Sequence, residues 1–92
     1  MDTAITLLAV RAITDTTRLQ DLIGRLAARW RGAGIHQNLV AQDEIQQVYH
    51  AAVERLLELG YTERGGLDVE SELPDAHMPK AYLDRFPTLD AS

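Results

Sequence analysis

Ninety-two residues, 46% of them apolar and 25% charged, make an ordinary globular composition and argue against wholesale disorder. A chain this short has room for one core, but little for a core, a substrate cavity and a catalytic shell together, which favours binding or a subunit role. The absence of cysteine excludes disulfides and thiolate-held metals.

The net charge of −5 is unevenly placed: residues 1–31 carry a net +2, residues 32–64 a net −3, and residues 65–92 a net −4. An acidic chain with only a weakly basic end is repelled by phosphate backbones, so charge disfavours nucleic acid as a partner. The apolar run Ala4–Val10 is interrupted by Thr6 and stopped by Arg11, too short to span a membrane, and Met1-Asp2-Thr3 lacks the basic start of a signal peptide. The expected location is cytoplasmic. Eight arginines against one lysine point to a GC-rich bacterial gene.

In chain order, Asp2 or Thr3 caps a first helix over about residues 3–13, with Ile5, Leu8, Ala9 and Ala12 at helical spacing. The β-branched stretch Thr14-Asp15-Thr16-Thr17 breaks or bends it, and Thr17 with Gln20 has the form of a capping box. From Arg18 to Trp30, one apolar stripe comprises Leu19, Leu22, Ile23, Leu26 and Trp30, with Arg18, Arg25 and Arg29 on the other side. Gly32 and Gly34 are expected to end this helix. Residues 35–42 have the length of a short helix but little pattern. Asp43 then resembles a cap for a longer helix to Leu59, whose stripe is Ile45, Val48, Tyr49, Ala52, Val53, Leu56 and Leu59. Beyond Gly60, Tyr61-Thr62-Glu63-Arg64 and Leu67-Asp68-Val69-Glu70 alternate around Gly65-Gly66 and predict a small β-hairpin near 61–70. Pro79 opens a short helix, Lys80–Phe86, that Pro87 stops, leaving 87–92 as a flexible tail. The expected fold is therefore mainly α: a single domain over 1–86, with three to four helices and a hairpin after Gly60.

This order resembles a winged helix-turn-helix. The resemblance is carried by Ala51-Ala52-Val53-Glu54-Arg55-Leu56-Leu57-Glu58-Leu59-Gly60-Tyr61-Thr62-Glu63-Arg64-Gly65-Gly66, similar to a recognition helix running into a wing. It implies a DNA-binding transcriptional regulator with the longer helix in a major groove. The front of that helix, however, is Asp43-Glu44-Ile45-Gln46-Gln47, and no Lys or Arg occurs from Ala33 to Glu54. Winged-helix folds also serve as protein-docking modules, and the charge favours that use. A second resemblance, through Trp30-Arg31-Gly32, is to the small secreted helical-hairpin proteins named for their W-x-G motif. Their tyrosine–acid export signal is not matched, since Val53 stands four residues after Tyr49. Trp30 therefore reads better as a core residue at a helix end, and Gly32 as the stop.

No catalytic, cofactor-binding or metal-ligating set emerges. His36, His50 and His77 are widely spaced, and His50 reads as a solvated residue on a helix edge. The acids Asp68, Glu70, Glu72 and Asp75 lack the register of a calcium loop. Ser71 and Ser92 are the only serines, and neither sits in a nucleophile elbow. The expected function is a non-enzymatic protein-interaction module, a regulatory or accessory subunit binding a protein partner or a second copy as a homodimer. The candidate partner-binding residues are Arg18, Arg25, Arg29, Trp30, Tyr49 and Tyr61.

Overall fold

A computed structural model describes residues 3–60 and 71–85. The chain is mainly helical: α1 Thr3–Arg11, α2 Thr16–Ile35, α3 Leu39–Glu58, a 3₁₀ turn Asp75–His77, and α4 Lys80–Arg85. Helices α2 and α3 form a long helical hairpin, and α1 and α4 both pack on α3.

The break after α1 is a cap. Asp15 takes an extended backbone, and its carboxylate accepts from Thr17 N–H at 2.9 Å and Arg18 N–H at 3.4 Å. Asp15 therefore caps α2, and Thr17, expected to do so, lies in its first turn.

The glycines do not end α2. Gly32 and Gly34 are helical, and the helix closes three residues later in a Schellman motif. Asn38 N–H donates to the Ala33 carbonyl at 2.9 Å and Gln37 N–H to the Gly34 carbonyl at 3.1 Å, with Gln37 held at φ 56°. Asn38 at once begins α3, accepting from Ala41 N–H at 3.1 Å. One residue thus completes one helix and caps the next. Gly34 has a different use: a Cβ there would lie 2.7 Å from Gln42 Nε2, so the glycine leaves room for the Gln42 side-chain amide.

Residues 35–42 are not a separate short helix. Leu39–Val40–Ala41–Gln42 is the first turn of α3, and Asp43 lies inside it, accepting from Gln47 Nε2 at 3.0 Å. The winged-helix order is therefore not what the described residues show. No strand occurs among them, and the hairpin expected near 61–70 lies outside them, as does the tail 87–92. Helix α3 ends at Glu58 with Leu59 as its cap and Gly60 at φ 99°, within a residue of the end the sequence predicts.

The core joins Leu19, Ile23, Leu26 and Ala27 of α2 to Ile45, Val48, Tyr49, Ala52, Val53 and Leu56 of α3. Val10 closes it from α1, and Leu73, Met78 and Tyr82 close it from the C-terminal side. No polar or charged residue is buried among the described residues. Burying a Leu, Ile or Val side chain is worth about 1.5–3 kcal/mol, so the stripes in α2 and α3 supply the main driving force for the hairpin.

Candidate functional site

Residues 71–85 lie across the α2–α3 hairpin, held by polar contacts around the buried Leu73, Met78 and Tyr82. The Tyr49 hydroxyl donates to the Ser71 carbonyl at 2.5 Å, and Arg31 Nη2 donates to the Glu72 carbonyl at 2.7 Å. Tyr82 donates to Glu72 Oε1 at 2.9 Å. Gly24 makes room for this crossing, since a Cβ there would stand 3.3 Å from Ser71 Oγ. Burial pushes the Tyr49 phenol up to about 12, because a phenolate there would lose its water.

Further along, His50 Nε2 donates to the His77 carbonyl at 2.6 Å, and His77 Nδ1 lies 3.0 Å from Gln46 Oε1. The His77 ring tilts against Trp30 with centroids 4.8 Å apart. His50 is accordingly half-buried and bonded, not the solvated edge residue expected. The Trp30 indole N–H is buried without a hydrogen-bond partner. Such a donor costs about 1–3 kcal/mol, so this corner is held by packing rather than by complete polar pairing.

These contacts reassign the candidate partner-binding residues. Tyr49 is fully buried and cannot meet a partner. Its place on the apolar stripe carried that information, since i, i+4 neighbours Ile45 and Val53 are buried with it. Trp30 is half-buried behind His77 in the last turns of α2. Tyr61 lies outside the described residues. Arg18, Arg25 and Arg29 are exposed on one face of α2, and among the described residues only Arg25 of the three forms an ion pair, 3.0 Å from Asp21 one turn earlier. Beside them, at the α1–α2 junction, is a half-open hollow of about 290 Å³, lined by Ile13, Arg18, Asp21, Leu22 and Arg25.

A second surface lies where the sequence shows little pattern. Ile35 is 80% exposed, Leu39 74% and Val40 72%, all at the closed end of the hairpin. They flank the three-residue turn His36-Gln37-Asn38, within a stretch from Gly32 to Gln42 that carries no Lys, Arg, Asp or Glu. Scattered exposed leucines such as Leu8 are ordinary, whereas three large aliphatic side chains around one turn form an apolar tip. The signal was the loss of pattern over 35–42, which marks helix that extends past the core.

Among the described residues, no group of three or more His, Asp or Glu side chains is arranged to hold a metal ion, and no helix is long and apolar enough to cross a membrane. Compared with known protein families, curated proteins and solved structures, the chain matches none.

Proposed function

We propose that the chain is a non-enzymatic protein-docking module, a regulatory or accessory subunit that engages its partner through the apolar tip of the α2–α3 hairpin. The observation that carries this reading is the exposure of Ile35, Leu39 and Val40 at a turn with no neighbouring charge. Leaving three aliphatic side chains in water forgoes roughly 1.5–3 kcal/mol each, a cost that a partner's apolar surface would recover. A second copy is one such partner, because a charge-free tip does not repel its own image. The front of α3 offers duplex DNA only Asp43 and Glu44 as charges, which supports a protein partner over the regulator reading.

The test compares wild type with an Ile35→Ser/Leu39→Ser/Val40→Ser variant, by sedimentation over a concentration series and by affinity capture from the native lysate with mass spectrometry. Self-association or a captured protein that the variant loses supports the reading. Identical behaviour of the two proteins overturns it, as does tight, salt-sensitive binding of duplex DNA by both.

A further inference from the structure

The arginine face of α2 is a second surface, distinct from the apolar tip. Its local acids are already engaged: Asp15 caps α2, and Asp21 pairs with Arg25 at 3.0 Å. Arg18 and Arg29 have no ion-pair partner among the described residues, although the chain as a whole carries five more acids than bases. The three guanidiniums follow helical spacing. Arg18 and Arg25 lie two turns apart, about 10 Å, and Arg25 and Arg29 one turn, about 6 Å. Next to them the hollow has an aliphatic floor, Ile13 and Leu22, inside a rim of Arg18, Asp21 and Arg25.

We propose that this face docks an acidic amphipathic helix of a partner protein, with an aliphatic side chain seated in the hollow and carboxylates on Arg18, Arg25 and Arg29. Charge complementarity selects an acidic occupant. The aliphatic floor selects a peptide over a nucleic acid, because a phosphate chain has nothing to place there. The spacing favours a helix, since a helix laid along α2 presents carboxylates at matching one-turn and two-turn intervals.

The experiment uses the full chain and a fluorescein-labelled synthetic helix, with glutamates at the one-turn and two-turn spacing of the arginines and one leucine among them. Anisotropy titrations at low and physiological salt read the binding. Saturable binding tighter than about 1 mM that weakens with salt is expected. Reversing Arg18→Glu and Arg29→Glu, both exposed and so harmless to folding, should weaken it about tenfold or more. Replacing the peptide leucine by alanine should cost about five- to tenfold. A peptide with lysine for glutamate should bind the reversed protein and not the wild type. The proposal is overturned by absence of saturable binding, by indifference to the arginine reversal or the leucine, or by tighter binding of a duplex DNA of equal charge. The tip variant should bind this peptide as wild type does, which separates failure here from failure of the tip reading.

Discussion

The hydroxyl of Tyr49, in the middle of α3, donates to the carbonyl of Ser71 at 2.5 Å, and this bond ties the C-terminal segment to the helical hairpin. The phenol is buried, and its pKa is raised from 10.0 to about 12 chiefly by that burial. Since the folded value lies above the unfolded one, the contribution to stability is complete below pH 10 and is lost as pH rises to 12. Two units correspond to about 2–3 kcal/mol at most. Tyr49→Phe should cost about 0.5–1.5 kcal/mol at neutral pH, from loss of the hydrogen bond. It should also remove the part of the alkaline decline that wild type shows between pH 10 and 12. Urea melts of both proteins across that range check it, and parallel pH curves would contradict the assignment.

Leu73 is buried beside that bond and anchors residues 71–85 by apolar contact. Leu73→Ala should cost about 2–4 kcal/mol by the usual cavity argument. The loss should be local in the first instance, because the core of α2 and α3 is otherwise intact. Hydrogen exchange should therefore show amides of residues 71–82 losing protection well before those of α3 around Val48 to Val53. Equal loss in both regions would mean that the segment and the hairpin unfold as one unit.

The turn between α2 and α3 makes three separable predictions. Gln37 holds φ 56°, a conformation that costs a side-chain-bearing residue about 1 kcal/mol, so Gln37→Gly should stabilise by up to that amount. Gly32 is helical with open space around it, and Gly32→Ala should add about 0.5–1 kcal/mol through helix propensity. Gly34→Ala gains the same propensity but drives a Cβ against Gln42, whose amide donates to the Trp30 carbonyl at 3.4 Å, so its gain should vanish. Urea midpoints for the three variants order them, and equal gains at positions 32 and 34 would show that the Gln42 amide moves aside at no cost.

How much of this was legible in the sequence follows from what each residue reports. Leu19, Ile23 and Leu26, with Ile45, Val48, Tyr49, Ala52, Val53 and Leu56, announce two amphipathic helices because periodicity records burial directly. Gly60 announces the end of α3 because only a positive φ is needed there. Gly32 and Gly34 misled because both are accommodated inside the helix, and the stop fell to Gln37, a residue with no propensity for it. Residues 35–42 misled because Ile35, Leu39 and Val40 face solvent, which erases the stripe at the end of α2 and in the first turn of α3. The partner-binding set mixed two kinds of residue for the same reason. Arg18, Arg25 and Arg29 stand on the polar side of a stripe and are exposed, while Tyr49 stands on the stripe itself and is buried. The polar ties of residues 71–85 join positions ten or more residues apart, and sequence spacing holds no trace of them.

Asp15 separates α1 from α2, and the hollow beside the arginine face depends on that separation. Its carboxylate satisfies two first-turn N–H groups of α2, so Asp15→Ala should cost about 1 kcal/mol. Asp15→Asn keeps the acceptor and should cost only a fraction of that. The hollow is lined by Ile13 on the connection and Leu22 on α2, so fraying of the first turn of α2 loosens one wall. The carbonyl of Ile13 is also held by Arg55 Nε at 2.9 Å, which fixes the connection to α3 independently of the cap. Asp15→Ala should thus weaken binding of the acidic helical peptide only mildly, by less than the Arg18→Glu/Arg29→Glu reversal. An additional Arg55→Ala, which frees Ile13 from α3, should weaken it further while leaving all three arginines in place. Thermal melts and anisotropy titrations on the same variants check this. If the doubly loosened protein binds the peptide as wild type does, the hollow contributes nothing and the arginines act alone.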